Sequence, residues 1–415
     1  MQMKRLLVVS FLVLLLSSGC KDPDPVVKRE DGEKVEVFNP LAVKKTNQMK
    51  LWVHYMPWFE DKASSDNGKW GQHWTMANKN PDVFLENGQR QIASHYYPLI
   101  GPYASGDVDV LEYHFLLMKY AGIDGILIDW YGTRDLYDYP LNRRNTEAIV
   151  TVLNKVGLEF AIVYEDQTLK DELNNDSQRI DQAIKDMQYL DKAFFKRENY
   201  IQIDGKPLLM TFGPQVLKMP QDWHTVLHSV SEVPGFFPLY AHASLTNNTS
   251  YQNAMGEYIW VDATAMDVKY AKKTDFKQYI GAAYPGFDDY YKEGGWGNSP
   301  LNAIAYHNGN LFEQLLKLAQ DEQMKYLQLI TWNDFGEGTM IEPTKEFQYT
   351  FLESIQRFTG VAYKKEHLEA SYKYFNLKKQ WNNNASKQEQ LQQVFYYLIS
   401  LQYEKAIELM DKIGL

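Results

Sequence analysis

Cysteine, positive charge and long apolar runs are all scarce in this sequence, and each absence removes a class of function. The chain of 415 residues has one cysteine, Cys20, so an intramolecular disulfide and a multi-cysteine metal site are excluded. The apolar run Leu6–Leu16 is shorter than the roughly 20 residues that a membrane-spanning helix needs. Acidic residues outnumber basic ones by 53 to 43, which argues against nucleic acid as a partner.

The amino terminus has the pattern of a cleaved signal. Lys4 and Arg5 precede the apolar run, and the small residues Ser17–Gly19 lead into Cys20. This ending resembles a bacterial lipobox, which implies removal of residues 1–19 and lipidation of Cys20; an ordinary secretory signal with an incidental cysteine is the alternative. Losing Lys4 and Arg5 takes the net charge from −10 to −12. We expect a protein of the bacterial cell envelope that contacts the membrane through its lipid alone.

The rest of the chain divides into three parts. Residues 20–48 are polar and contain prolines, which predicts a tether. Residues 49–346 alternate short apolar runs, rich in β-branched and aromatic residues, with longer helical patterns, which is typical of βα units around a parallel sheet. Residues 347–415 predict a C-terminal helical extension.

Eight apolar runs predict a (β/α)8 barrel with eight strands. The predicted strands are Lys50–Tyr55, Gly125–Trp130, Glu159–Tyr164, Pro207–Phe212, Phe237–His242, Tyr258–Ala263, Tyr279–Tyr284 and Leu327–Trp332. Helical patterns lie between several of them, at Val108–Ala121, Arg143–Val156, Asp176–Phe194, Asp275–Gln278 and Asn310–Gln323.

Acids and aromatics recur where these strands end. In a parallel barrel the catalytic side chains lie at the carboxyl ends of the strands. Glycosidic cleavage requires one carboxylic acid that protonates the leaving oxygen and a second carboxylate that acts on the attacking side. Tyr and Trp present flat apolar faces to sugar rings, although a role in the core is the alternative for each of them.

The segment Trp332–Glu342 is the most informative of these strand ends. Asp334 and Glu337 lie three residues apart just beyond an apolar strand, and two glycines beside them permit a tight turn. Such a turn can direct both carboxylates to one point. A solvated acidic loop is the alternative for this spacing alone.

The residues Trp332–Pro343, Trp-Asn-Asp-Phe-Gly-Glu-Gly-Thr-Met-Ile-Glu-Pro, resemble the catalytic signature of glycoside hydrolase family 99, the endo-α-mannosidases and endo-α-mannanases. Four upstream segments are also similar to that family, namely His73-Trp74, Tyr96–Ser105, Ala121–Gly125 and Asp129–Tyr131. The chain departs from family 99 at Asp334, where the family has Glu. With Asp, the string resembles family 71, the endo-α-1,3-glucanases, so we interpret the chain as a family 71/99-like protein.

This resemblance implies a glycoside hydrolase that acts within an α-linked polysaccharide such as α-mannan or α-glucan. It implies that Glu337 is the general acid and that Asp334 is the base, acting on a sugar 2-hydroxyl as in family 99 or on water as in family 71. Because Asp is one methylene shorter than Glu, we predict attack by water and inversion. A surface glycan-binding lipoprotein without activity, or a structural lipoprotein, would be the alternatives.

Further side chains are candidates for contact with a poly- or oligosaccharide. The predicted substrate-binding residues are Tyr55, Trp58, His73, Trp74, Tyr103, Asp129, Trp130, Glu165, Tyr284, Trp332, Asn333 and Glu342. Lesser candidates are His54, His242, Asp288 and Trp296, the last at the tip of a glycine-rich loop. Core packing and ion pairs at the barrel rim are the alternatives. The histidine spacing matches no metal motif, so we expect no metal and no cofactor.

Overall fold

A computed structural model describes residues 27–28, 34–239, 253–262 and 265–414. Cys20 and the predicted signal lie outside the described residues. Eight parallel strands form the centre of the molecule, and they are β1 Lys50–Tyr55, β2 Gly125–Trp130, β3 Glu159–Tyr164, β4 Lys206–Thr211, β5 Gly235–Pro238, β6 Gly256–Tyr258, β7 Gln278–Ala283 and β8 Tyr326–Leu329.

The sheet closes into a barrel. Consecutive strands pair in parallel from β1 to β5 and from β6 to β8, and β8 pairs with β1. Two parallel bridges, Phe236 to Ala254 and Leu239 to Tyr258, join β5 to β6 and complete the circle. The predicted (β/α)8 barrel is therefore confirmed.

Helices cover the outside of the barrel and then continue beyond it. Their bounds are α1 Val108–Ala121, α2 Tyr139–Val156, α3 Asp176–Leu190, α4 Pro220–Leu227, α5 Met266–Tyr270, α6 Asn310–Asp321, α7 Thr350–Thr359, α8 Lys365–Gln380, α9 Ala385–Ile399 and α10 Tyr403–Gly414. Short pieces are the single helical turns Gln72–Thr75 and Tyr291–Gly294, a π-helical turn Asp191–Phe195, the 3₁₀ turns Asp166–Leu169, Lys273–Asp275 and His307–Gly309, and the two-residue strands Val27–Lys28, Lys34–Val35 and Gln202–Ile203. None of the helices in the described ranges is both long and apolar enough to cross a membrane.

The barrel strands are apolar on both faces because one face packs inside the barrel and the other packs against helices. All six residues of β2 are buried. Gly125 begins this strand where the backbones of β2 and β3 approach closely, since a Cβ there would lie 2.3 Å from the Glu159 carbonyl oxygen. Only glycine fits at that point.

The prediction was wrong in detail between β6 and β7. The predicted strand Tyr258–Ala263 and helix Asp275–Gln278 are replaced by a strand that ends at Tyr258 and by α5. Ile259 and Trp260 are 1% and 8% exposed, so this run is apolar because it is buried beyond the strand end. Apolar runs that lie in the core without pairing in a sheet cannot be distinguished from strands by pattern alone.

The C-terminal helices pack on α1. Tyr374 donates its hydroxyl hydrogen bond to Glu112 at 2.6 Å, and Tyr120 donates to the Leu398 carbonyl at 2.9 Å. Part of the segment that the sequence assigns to a tether also lies here, because Glu36 exchanges two hydrogen bonds with the Gln393 side chain. This part of the predicted tether therefore contacts the helical extension.

Candidate active site

The two candidate catalytic carboxylates lie on one closed loop after β8. We call residues 331–342 the acid turn. Its ends are joined because Thr331 donates its backbone N–H to the Thr339 carbonyl at 2.8 Å and Glu342 donates to the Trp332 carbonyl at 2.8 Å. Inside the loop, the Thr331 hydroxyl accepts from the Asp334 N–H at 2.8 Å. The backbone of the turn is thus fixed by its own hydrogen bonds.

Glycine is required at the end of this turn. Gly338 has a φ of +69°, and a Cβ there would lie 2.7 Å from both the Asp288 carbonyl oxygen and the Tyr306 hydroxyl. A side chain would be strained by its backbone conformation and would also clash. The glycine therefore lets the acid turn pack directly on the loop that follows β7.

Burial raises the proton affinity of both carboxyl groups. Asp334 is 5% exposed, and burial raises its pKa to about 7. Burial and then the charge of Asp334 raise the pKa of Glu337 to about 8. The Tyr291 hydroxyl donates to Glu337 Oε1 at 2.9 Å, and the Trp260 side chain is a second hydrogen-bond partner of this carboxyl group. Near neutral pH, Glu337 is suited to hold a proton that Asp334 gives up first.

Two more acids lie at the ends of the neighbouring strands β2 and β3. Burial raises the pKa of Asp129 to about 8, and burial followed by the charge of Asp129 raises the pKa of Glu165. The charge of Asp129 also raises the pKa of Asp334, and that of Glu337 raises the pKa of Glu165. The four carboxyl groups therefore belong to one electrostatic cluster at the carboxyl end of the barrel.

A buried polar network holds the acid turn from below. Asn333 accepts from the Met56 N–H at 2.8 Å and donates to the Met56 carbonyl at 3.0 Å and to the Tyr103 hydroxyl at 3.1 Å. Tyr103 in turn donates to Glu342 Oε2 at 2.6 Å. His114 Nε2 lies 3.3 Å from Glu342 Oε1. Residues far apart in the sequence thus fix the position next to Asp334.

Aromatic rings form one side of the site. Trp58 and His73 stack with ring centroids 4.2 Å apart and an angle of 6°. The edge of the His73 ring meets Trp296 at 5.8 Å, and Trp296 stacks with Tyr291 at 6.1 Å. This row of rings leads from the β1 loop to Tyr291, which contacts Glu337.

The structure places the predicted binding residues at different depths. Three of them, Trp58, His73 and Glu165, are partly exposed. Nine are buried, with exposed fractions of 5% or less: Tyr55, Trp74, Tyr103, Asp129, Trp130, Tyr284, Trp332, Asn333 and Glu342. The buried tryptophans pack behind the site, as Trp74 does by donating its ring N–H to the Tyr103 carbonyl at 2.8 Å.

The lesser candidates from the sequence also lie in different surroundings. His54 is 1% exposed against the edge of Trp260, and burial lowers its pKa to about 3, so it is a neutral barrel residue. Asp288 accepts from the Tyr96 hydroxyl at 3.0 Å. Tyr284 directs its hydroxyl to the Asp262 carbonyl at 3.4 Å. His242 lies outside the described residues.

Tyr291 was missed by sequence reasoning. It lies seven residues beyond Tyr284, within the loop that follows β7, and only the aromatic-rich, acidic composition of that loop pointed to it. Within the described ranges, no group of three or more His, Cys, Asp or Glu side chains is arranged to hold a metal ion.

Carboxyl groups and aromatic rings at the carboxyl ends of the strands of an α/β barrel are typical of enzymes that act on sugars.

No family model matches the sequence. The mouse glycoprotein endo-alpha-1,2-mannosidase-like protein is 24% identical over 314 residues, covering 70% of this chain and 64% of that protein. The Xenopus laevis glycoprotein endo-alpha-1,2-mannosidase is 23% identical over 373 residues, covering 80% and 78%. The chain thus spans slightly less than two thirds of the mouse relative.

Among solved structures, the fold is similar to that of proteins with related names. The GH99 endo-alpha-mannosidase of Bacteroides thetaiotaomicron superposes with a TM-score of 0.58 at 18% identity, covering 76% of this chain and 96% of that chain. Its complex with bis-tris-propane gives 0.57 at 17% identity, covering 79% and 98%. The resemblance to glycoside hydrolase family 99 is confirmed, and the chain shares the barrel fold of these proteins.

Proposed function

We propose that the protein hydrolyses α-glycosidic bonds, with Asp334 and Glu337 as its working carboxylates. The observation that carries the proposal is that both groups lie on one rigid turn at the carboxyl end of the barrel, with pKa values raised by burial. The similarity to proteins named as endo-alpha-mannosidases supports the same chemistry.

In this mechanism Glu337 gives its proton to the glycosidic oxygen as the bond from that oxygen to the anomeric carbon breaks. A water molecule forms the new bond to the anomeric carbon and loses its proton to Asp334. The hydrogen bonds from Tyr291 and Trp260 orient the Glu337 carboxyl group that carries the transferred proton. One Asp and one Glu thereby complete a single displacement without a cofactor.

The proposed substrate is an internal bond of an α-linked polysaccharide, with α-mannan and α-glucan as the candidates. The relatives favour α-mannosides, whereas Asp334 in place of Glu favours the family 71 pattern. Purified protein incubated with yeast α-mannan, α-1,3-glucan and dextran separates these candidates by release of reducing ends. Binding to a polysaccharide without release of reducing ends would instead identify a glycan-binding lipoprotein.

We also propose that Cys20 carries a lipid that anchors the protein to the cell envelope. Each buried CH₂ of an acyl chain contributes about 0.8 kcal/mol to membrane binding. Cys20→Ala should therefore release the protein from the membrane fraction. Continued membrane association of this variant after an alkaline wash would show that another feature is the anchor.

A further inference from the structure

A glycine-rich arm carries an exposed indole beside the acid turn. Trp296 is 43% exposed and follows the short helix Tyr291–Gly294. It lies between Gly295 at φ +83° and Gly297 at φ +119°, conformations that side chains other than glycine adopt at a cost. A Cβ on Gly297 would meet nothing within 4 Å, so the tip of the arm lies in open space. The arm therefore holds a large apolar ring out toward solvent.

The base of this arm is fixed on two sides. Gly294 accepts a hydrogen bond from the Ala77 N–H at 2.9 Å, and the Asn78 side chain donates to the Glu293 carbonyl at 2.8 Å. On the other side, Tyr290 donates its N–H to the Gly336 carbonyl of the acid turn at 2.8 Å. The arm is thus mounted on the same turn that carries the acid, and its indole is positioned before any ligand arrives.

The ring contacts connect the indole to the acid itself. Trp296 stacks on Tyr291 with an angle of 26°, and Tyr291 donates its hydroxyl to Glu337 Oε1 at 2.9 Å. An acid that protonates the glycosidic oxygen lies next to the sugar that keeps this oxygen, which is the leaving group. Trp296 is the next ring beyond Tyr291, which itself contacts this acid.

We propose that Trp296 is the stacking platform for the first sugar residues on the leaving-group side of the cleaved bond. This inference rests on the proposed hydrolysis and names a subsite of it. The apolar face of a pyranose ring covers an indole well, and a preformed exposed ring loses little conformational freedom on binding. A purely structural role would not require the indole to remain nearly half exposed.

Two substrates test the proposal. One is the polysaccharide that the protein cleaves, and the other is the α-fluoride of the matching disaccharide, which has no sugar on the leaving-group side. Trp296→Ala should lower kcat/KM on the polysaccharide by about tenfold, the effect of one aromatic stacking contact. The same variant should change hydrolysis of the fluoride by less than about twofold, and Trp296→Phe should restore most of the loss.

Phe84→Ala is the matched control, because Phe84 is also an exposed aromatic, at 60%, but packs under the Arg90 guanidinium at 4.5 Å. It should leave both rates near wild type. An equal loss on both substrates, or no loss on the polysaccharide, would overturn the leaving-group assignment while leaving the proposed hydrolysis intact. An inactive wild-type protein on both substrates would overturn the hydrolysis itself.

Discussion

The backbone N–H of Glu337 donates a hydrogen bond to Asp334 Oδ1 at 3.0 Å, so the proposed base is held by the backbone of the proposed acid. The two carboxyl groups are therefore fixed relative to each other by local geometry. Their electrostatic coupling follows from the same closeness, since the charge of Asp334 raises the pKa of Glu337. One short turn thus determines both the position and the protonation of the pair.

Glu337→Gln should lower kcat on the polysaccharide by roughly 10²–10⁴-fold, because the amide cannot protonate the leaving oxygen. The melting temperature should stay close to that of the wild type, since the amide oxygen still accepts from Tyr291. Glu346→Gln makes the same change at an exposed position nearby, where the carboxylate accepts from the Tyr97 N–H, and should leave the rate unchanged. Retention of more than a tenth of the wild-type rate by Glu337→Gln would show that another residue is the acid.

The rate of hydrolysis should have its maximum between the pKa values of the two carboxyl groups. Asp334 must be ionised, so the rate falls as the pH drops below about 7; Glu337 must be protonated, so the rate falls as the pH rises above about 8. Asp289→Asn should move both limbs of the profile to lower pH, because the charge of Asp289 raises the pKa of Asp334 and that of Glu337. A profile in which Asp289→Asn leaves the acidic limb in place would contradict the assignment of Asp334 as the base.

Gly338→Ala should destabilise the protein more than Gly68→Ala does. The two glycines have nearly the same φ, +69° and +68°, but a Cβ at Gly68 meets nothing within 4 Å. Both variants lose about 1–2 kcal/mol to the left-handed backbone, and Gly338→Ala loses about 1–3 kcal/mol more to overpacking. Denaturant unfolding measures the difference in the free energy of unfolding. Equal losses would mean that the loop after β7 moves aside without cost.

Tyr103→Phe should lower both stability and kcat. It removes the hydroxyl that joins Glu342 to Asn333 and leaves a buried carboxylate oxygen without its donor, which costs about 1–3 kcal/mol. Without this hydroxyl, Asn333 is held less firmly, and the neighbouring Asp334 shifts with it. Small displacements of a catalytic group reduce kcat by up to about 100-fold. Tyr200→Phe, which loses a buried hydroxyl bonded to the Leu208 carbonyl at 2.7 Å, is the control for stability alone. Equal effects of both variants on kcat would deny the network a role in catalysis.

The newly formed anomer should be β, the product of inversion at an α-linked substrate. Asp334 is shorter than Glu by one methylene, about 1.5 Å, which leaves room for water between the carboxylate and the sugar. Proton NMR of the first minutes of hydrolysis distinguishes the anomers before they interconvert. An α-anomer that appears first would mean retention and would assign Asp334 to the deprotonation of a 2-hydroxyl.

Much of the barrel follows from local patterns. The first three predicted strands agree residue for residue with β1 to β3, because strands buried on both faces are short, apolar and rich in β-branched residues. The helix Val108–Ala121 also agrees, since Asp107 caps its start and Gly122 ends it in the left-handed conformation. The composition of the acid turn is equally local, and it directed attention to Asp334 and Glu337.

Only the tertiary structure decided which side chains face the site. By sequence alone, Trp74, Trp130 and Trp332 were preferred to Trp296 as candidates for sugar contact, yet the first three are fully buried and the last is exposed. The contact between Tyr291 and Glu337 joins residues 46 positions apart, and the bond between Tyr103 and Glu342 joins residues 239 apart. Local pattern encodes the period of an element and the chemistry of a turn. Which rings and hydroxyls meet is set by closure of the barrel, which brings the loops of different strands to one end.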